Sequence, residues 1–169
     1  KRIFSSIILI PIAIFFIIKG SLLFNFFITI IFLISSYEWY MMSKKRNYHY
    51  IGYFFLIFSF YTVYDLRNNF GDESESLVFF LFVLLICIST DIGGFLFGKI
   101  FKGPKLTKIS PNKTLSGSSG SFILSISVSS LLLGYIFNTD LVDNILIGFF
   151  ISLSVQIGDL FFSYLKRKA

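Results

Sequence analysis

The stretch 77–98, LVFFLFVLLICISTDIGGFLFG, decides the fold class of this chain. It carries one charged side chain, Asp91, in an otherwise apolar run. At a rise of 1.5 Å per residue, a helix of this length spans the hydrocarbon core of a bilayer, which is about 30 Å thick. Lipid offers no hydrogen-bond partner to a backbone, so a single spanning segment has to be helical. The stretch therefore predicts a transmembrane helix.

Similar apolar segments cover most of the remaining chain. They lie at about 3–18, 21–37, 50–64, 121–137 and 145–165. The first two are separated only by Lys19-Gly20, so they form either two crossings or a tight hairpin. Lys1-Arg2 before an apolar run resembles a signal peptide, but no small-residue cleavage site follows it. The pattern predicts an all-α, polytopic integral membrane helical bundle with about six transmembrane helices.

The composition agrees with a lipid environment. Of the 169 residues, 55% are hydrophobic and 14% are charged, and the mean hydropathy is +0.80. An average soluble domain has about 25% charged residues, and a soluble fold of this size could not bury so much apolar surface. The single cysteine, Cys87, cannot form an intrachain disulfide. These values exclude an ordinary soluble domain, a disordered chain and a disulfide scaffold.

The charged residues predict the orientation of the helices. The net charge is +6, and an N-terminus inside the cell places most basic residues in cytoplasmic segments: Lys1, Arg2, Lys44, Lys45, Arg46, Lys99, Lys102, Lys105, Lys108, Lys113, Lys166, Arg167 and Lys168. The outer segments then hold Lys19 and Arg67 together with six acids: Asp65, Asp72, Glu73, Glu75, Asp140 and Asp143. The positive-inside rule therefore predicts an N-in/C-in topology. The excess charge is an orientation signal, and no nucleic-acid partner is predicted.

This topology predicts a single membrane domain over 1–169. It would consist of an N-terminal helix pair at 1–48, a middle pair at 49–98, a cytoplasmic basic loop at 99–120 and a C-terminal pair at 121–169.

Three acids, Glu38, Asp91 and Asp159, lie inside apolar runs. Each precedes a cytoplasmic lysine by six to eight residues, which places it about 9–12 Å below the basic edge of its helix. A carboxylate at the centre of a bilayer costs about 2.5–3.5 kcal/mol and marks a functional site by default. Asp91 and Asp159 are therefore predicted to be functional.

For two further titratable residues, Glu38 and His49, a structural role is an alternative to a functional one. Glu38 lies in Tyr37-Glu38-Trp39-Tyr40, a composition typical of a membrane interface, so a structural and a functional role both stay open. His49 lies between tyrosines beside the basic cluster, where an interfacial role is favoured over metal ligation.

The segment 99–120, KIFKGPKLTKISPNKTLSGSSG, has five lysines and a Ser/Gly-rich end. Lysines and small residues can surround an anion, and the following helix would present its N-terminus to a phosphate. The spacing of a Walker A motif is absent, and a positive-inside loop with a flexible tail is the alternative interpretation. Together with acids that can hold Mg²⁺, the segment predicts a nucleotide–metal site.

These residues resemble the phosphatidate cytidylyltransferase (CDP-diglyceride synthase) family of integral membrane enzymes. DIGGF at 91–95, FGK at 97–99, SPNKT at 110–114 and Gly117 are similar to the family's Asp-x-Gly-Ala-Tyr, Phe-Gly-Lys and Ser-Pro-Lys-Lys-Thr-x-Glu-Gly. GDL at 158–160 and SYLKR at 163–167 are similar to the opening of the family signature. Glu38-Trp39 resembles a feature of the family's second helix.

The resemblance implies a nucleotidyltransferase for phospholipid biosynthesis, which converts CTP and phosphatidate into CDP-diacylglycerol and diphosphate. It implies that Asp159 and Asp91 hold Mg²⁺ and act in catalysis with Lys166 and Arg167. It further implies binding of the substrate phosphates by Ser110, Lys113, Thr114, Gly117 and Ser163. The implied location is the bacterial inner membrane, with the active site facing the cytoplasm, and a homodimer is one assembly compatible with the sequence.

The chain departs from the family pattern at several positions. Ser116 replaces Glu, Ser121 replaces Gly and Asn112 replaces the first Lys of the pair. The signature would continue after Arg167 with Lys-Asp, Pro-Gly-His-Gly-Gly and Asp-Arg, and that stretch supplies a second metal-binding Asp. We therefore expect the chain to be a truncated member or a portion of a longer protein.

Three alternatives stay open. The first is a lipid- or ion-translocating membrane protein, which would spread its acids across membrane depth. The second is a CTP-dependent polyprenol or phytol kinase, and the third is a remnant that folds without activity.

Overall fold

The structure is a computed structural model that describes residues 2–44, 49–107, 110, 113–136 and 139–168, with side chains from Ile7 to Arg167. Within these residues the chain forms six α-helices: α1 (Arg2–Lys19), α2 (Ser21–Ser43), α3 (His49–Asn68), α4 (Glu73–Phe101), α5 (Leu115–Ile136) and α6 (Leu141–Lys168). The prediction of an all-α protein is confirmed.

Among the described residues, four helices are long and apolar enough to cross a membrane, namely α2, α4, α5 and α6. The chain is therefore a polytopic membrane protein, as predicted. Residues Ile7–Lys19 form a shorter apolar helix within α1. The count of six crossings and the N-in/C-in orientation stay predictions.

The helices extend beyond the apolar segments because polar residues at their ends continue the helical backbone. α4 begins at Glu73, and the carboxylates in its first turn interact favourably with the positive end of the helix dipole. After Phe101, Lys102 adopts a φ of 43°, and its backbone N–H bonds to the carbonyl of Gly98 at 3.2 Å. This left-handed residue ends the helix. α5 begins at Leu115, so the Ser/Gly-rich end of the predicted 99–120 loop is helical.

The chain divides into two compact units, Lys1–Phe80 and Leu81–Ala169, and α4 contributes to both. We call them the N-terminal unit and the C-terminal unit. Whether the chain is a single membrane domain made of helix pairs stays a prediction.

The N-terminal unit buries Phe24, Trp39 and, unexpectedly, Arg67. α3 continues to Asn68, so Arg67 is helical rather than part of an outer loop. Its Nε donates to the carbonyl of Ile17 at 3.0 Å, near the end of α1 where carbonyls lack helical partners. At the break between α1 and α2, Gly20 has a φ of 61°, a conformation that favours glycine.

Trp39 ties α2 to the start of α3. Its indole Nε1 donates to the carbonyl of His49 at 2.9 Å, and a Cβ on Gly52 would overlap the indole ring. The Nδ1 of His49 lies 2.6 Å from the hydroxyl of Ser43. His49 therefore has a structural contact, in keeping with the role favoured for it, and Glu38 is exposed beside the buried indole.

The C-terminal unit packs α5 against both α4 and α6 through small residues. The buried stripe along α5 repeats every four residues: Gly117, Ser121, Ser125, Ser129 and Leu133. A Cβ on Gly148 of α6 would meet the Cβ of Ser129 at 2.6 Å, and the Ser129 hydroxyl donates to the carbonyl of Asn144 at 2.9 Å. Small residues at such spacing allow membrane helices to approach closely and to exchange hydrogen bonds.

Several residues of the sequence analysis lie outside the described residues. They are Lys1, Lys45, Arg46, Lys108, Ile109, Pro111 and Asn112.

Candidate functional site

The connection between α4 and α5 folds back on itself and positions Lys113. Lys105 and Thr114 form an isolated antiparallel β-bridge. The N–H of Leu106 donates to the carbonyl of Lys113 at 2.8 Å, and the N–H of Leu115 donates to the carbonyl of Pro104 at 2.9 Å. These bonds hold the backbone of Lys113 against the residues that follow α4.

Thr114 caps the N-terminus of α5. Its hydroxyl accepts a hydrogen bond from the N–H of Gly117 at 3.1 Å, as expected of a threonine at an N-cap. The hydroxyl of Ser116, which stands where the resembling family has Glu, accepts from the N–H of Gly103 at 3.1 Å. Ser116 therefore ties the connection to the start of α5, a contact that the family pattern did not predict.

Glycines let α4 and α5 approach at this point. A Cβ on Gly93 would overlap the carbonyl oxygen of Gly120, and one on Gly94 would lie 2.8 Å from the hydroxyl of Ser121. Neither glycine could be replaced without a shift of the opposing backbone or hydroxyl. Gly93 therefore makes room for α5.

A pocket of about 220 Å³ lies between α4, α5, α6 and the connection. Five residues predicted for the site line it together: Asp91, Lys113, Thr114, Gly117 and Asp159. They come from three separate stretches of the sequence, and all belong to the C-terminal unit. The pocket also contains residues that the sequence analysis did not assign to the site: Thr90, Gly94, Phe95, Leu106, Ser118, Ser121, Val155 and Gln156.

The charged groups of the pocket are arranged around Lys113. Its ammonium forms an ion pair with the carboxylate of Asp159, and the two side chains are 29% and 54% exposed. Asp91 lines the same pocket, where its carboxylate is repelled by Asp159 and attracted by Lys113. The pocket therefore holds two carboxylates whose repulsion is offset by one lysine.

Hydroxyl and amide groups join the three helices around the pocket. The hydroxyl of Ser121 donates to the carbonyl of Thr90 at 2.7 Å, and Thr90 lies 3.4 Å from the hydroxyl of Ser152. Gln156, one turn before Asp159, accepts a short hydrogen bond from Ser118. A glutamine inside an apolar run was the sequence signal that could have identified Gln156, since an amide in lipid needs a partner.

The remaining predicted residues do not line the pocket. Ser110 lies in the connection, where its carbonyl accepts from the N–H of Lys113 at 3.1 Å. Ser163, Lys166 and Arg167 continue α6 beyond Asp159, and the last two are exposed. Their predicted roles in catalysis and phosphate binding stay predictions.

The donor set of the pocket suits magnesium. Among the described residues, no group of three or more His, Cys, Asp or Glu side chains converges, but Mg²⁺ in phosphate chemistry commonly uses one or two carboxylates, substrate phosphates and waters. Asp91 on α4 and Asp159 on α6 supply two mutually repelling carboxylates to one pocket, and a divalent cation would relieve their repulsion. The residues present therefore fit the predicted metal.

Comparison with known proteins identifies the group to which the chain is similar. Residues 52–169 match the model of the cytidylyltransferase family. The chain is 31% identical over 138 residues to phosphatidate cytidylyltransferase of Staphylococcus haemolyticus, covering 80% of this chain and 52% of the relative. It is 33% identical to the enzyme of that name from Staphylococcus saprophyticus, with the same coverage. No solved structure matches the chain significantly.

A relative from Helicobacter pylori, also named phosphatidate cytidylyltransferase, is 30% identical over 64% of this chain. The chain spans about half the length of the staphylococcal relatives and 39% of the Helicobacter one. The family model includes all three helices that line the pocket, together with both pocket carboxylates and Lys113. The chain therefore belongs to the cytidylyltransferase family.

Proposed function

We propose that this chain provides the nucleotide pocket of an enzyme that transfers a cytidylyl group from CTP to phosphatidate. The observation that carries the proposal is the convergence of Asp91, Asp159, Lys113 and the N-terminus of α5 on one pocket. The names of the staphylococcal and Helicobacter relatives support phosphatidate as the acceptor.

The reaction forms one bond and breaks one. An oxygen of the lipid phosphate attacks the α-phosphorus of CTP, and the bond from that phosphorus to the bridging oxygen breaks. Diphosphate leaves with that oxygen and its electron pair, and CDP-diacylglycerol remains. Such a transfer requires mainly alignment and neutralisation of charge. Lys113 and the positive end of the α5 dipole would supply positive charge for the phosphates.

Asp91 and Asp159 would hold Mg²⁺, which would supply positive charge to neutralise the substrate phosphates when bound. In the structure, Lys113 and Asp159 form an ion pair with each other. In the proposed reaction, Lys113 would bind the phosphates and Asp159 would bind the cation. When a triphosphate attracts the ammonium of Lys113, the carboxylate of Asp159 becomes available to a cation. Nucleotide and metal binding would therefore favour each other at this pair.

We infer that the pocket faces the cytoplasm of a bacterial cell, in the inner membrane. The lysines around the α4–α5 connection support this orientation under the positive-inside rule, and CTP is a cytosolic metabolite. The homodimer stays a prediction.

Replacement of Asp159 by Asn tests the proposal. The variant keeps the size of the side chain but removes its charge, so we expect CDP-diacylglycerol formation to fall by at least about 100-fold. The assay follows labelled CTP and phosphatidate in lipid vesicles, with the protein expressed from its complete reading frame. Asp143→Asn is the matched control, because Asp143 is an exposed acid in the first turn of the same helix.

Equal turnover by the Asp159 and Asp143 variants would show that Asp159 has no part in the reaction. Transfer of phosphate from CTP to a polyprenol, with no product from phosphatidate, would instead identify a lipid kinase.

A further inference from the structure

We propose that Phe95 is the surface on which the cytosine base of CTP stacks in this pocket. This inference rests on the proposed function, because it names the group that recognises the nucleotide base in the same site. It concerns a residue that the reaction chemistry does not otherwise use.

Phe95 is an exposed aromatic ring at the wall of the pocket. It lines the pocket with Asp91 and Lys113, and it is 66% exposed. Asp91 and Phe95 are four residues apart on α4, so both lie on the same face of the helix, one turn apart. A nucleotide whose phosphates reach Lys113 and a cation at Asp91 would thus find the ring one helical turn away.

The surroundings of the ring favour a flat polar heterocycle over an acyl chain. The ammonium of Lys99 lies 5.6 Å from the ring centroid, a cation–π contact that occupies one face of the ring. Phe95 lies on the Lys99 side of Asp91, towards the lysine-bearing connection that follows α4. An acyl chain gains little beside an ammonium, whereas a base would stack on the opposite face of the ring and keep its polar edge available.

The polar side chains of the pocket complement such an edge. Thr114, Ser118 and Gln156 line the same pocket and provide hydroxyl and amide groups. Stacking on an aromatic side chain tolerates any base, so selection of cytosine would depend on these polar groups. The ring would therefore supply affinity, and the hydroxyl and amide groups would supply specificity.

Phe95→Ala tests the proposal, with Phe101→Ala as a matched control. Phe101 is on the same helix and is 64% exposed, but it does not line the pocket. The protein from the complete reading frame, in nanodiscs, is titrated with CTP and separately with tripolyphosphate, which has no base. We expect Phe95→Ala to weaken CTP binding about 10- to 100-fold and to leave tripolyphosphate binding unchanged. Phe101→Ala should change neither, and Phe95→Trp should bind CTP at least as well as the natural protein.

Three results would overturn the proposal. Phe95→Ala could bind CTP like the natural protein, it could lose CTP and tripolyphosphate to the same extent, or it could raise only the KM for phosphatidate. The last result would assign the ring to the lipid acceptor. A natural protein that binds tripolyphosphate but not CTP would instead contradict the proposed function itself.

Discussion

Lys113 is the residue on which the charge arrangement of the pocket depends. Its backbone is held by hydrogen bonds from Leu106 and to Ser110, and its ammonium pairs with Asp159. The side chain is 29% exposed, so a phosphate can reach it without unfolding of the connection. An exposed pair of this kind adds little stability, which leaves Lys113 free to exchange partners.

Lys113→Ala should therefore weaken nucleotide binding more than it weakens the fold. Loss of a charge-assisted contact to phosphate costs about 10- to 100-fold in affinity, and we expect the KM for CTP to rise by that factor. The measurement is initial rate against CTP concentration at saturating phosphatidate. Lys105→Ala is the control, since Lys105 is an exposed lysine of the same connection that does not line the pocket.

If the Lys113 and Lys105 variants show the same KM for CTP, Lys113 does not contact the nucleotide. A lower kcat with an unchanged KM would place Lys113 at the transition state alone.

At the scale of elements, α5 joins the site to the core. Its N-cap Thr114 and its first-turn Gly117 line the pocket, and the helical face of Gly117 continues through Ser121, Ser125 and Ser129. Ser125 and Ser129 have no exposed surface. Because small residues set the separation of α5 and α6, they also set the separation of Gly117 and Asp159 across the pocket.

Ser125→Leu should disturb the close packing of α5, because Ser125 is fully buried in the C-terminal unit. A larger side chain in a fully packed position costs about 1–3 kcal/mol, so we expect the Tm in detergent to fall by several degrees and turnover to decrease. Ser127→Leu on the same helix is the control, because Ser127 is exposed and its hydroxyl bonds only to the carbonyl of Ile123 at 2.8 Å.

A Ser125 variant with the Tm and turnover of the Ser127 variant would argue against small-residue packing as the determinant of pocket geometry.

At the scale of the whole molecule, the number and direction of the membrane crossings are the main prediction to test. α2, α4, α5 and α6 qualify as crossings by length and composition. α1 and α3 decide between four and six crossings, and α3 carries the buried Arg67 near its end. With four or six crossings, α4 spans the membrane. The acidic segment before α4 and the lysine-rich connection after it therefore lie on opposite sides of the membrane.

Cysteine reporters measure this arrangement. In a Cys87→Ser background, an impermeant maleimide added to intact cells should label Asp72→Cys and Asp140→Cys but not Lys105→Cys. Lys105→Cys should react once the membrane is permeabilised. External labelling of Lys105→Cys would reverse the predicted orientation, and with it the cytoplasmic placement of the pocket.

Local pattern was enough to predict the helices and five of the residues that line the pocket. Apolar length indicated each helix, because lipid permits no other single-segment backbone. Asp91 and Asp159 were identifiable because a carboxylate in an apolar run is costly, and Lys113, Thr114 and Gly117 were identifiable from their motif. Gln156 carried a signal that was not used, an amide inside an apolar run, whereas Ser118 and Phe95 carried none, since hydroxyl and aromatic groups have many uses in a membrane helix.

The sequence by itself determined that most of the chain lies in lipid, that it is all-α, and which charged residues need a partner. Each of these properties depends on local composition. Only the tertiary structure decided which of those groups meet. The close approach of Gly93 to Gly120, the Ser118–Gln156 contact and the Lys113–Asp159 pair each join residues from different helices or from the connection. Such contacts depend on the separation and rotation of packed helices, which no single segment encodes.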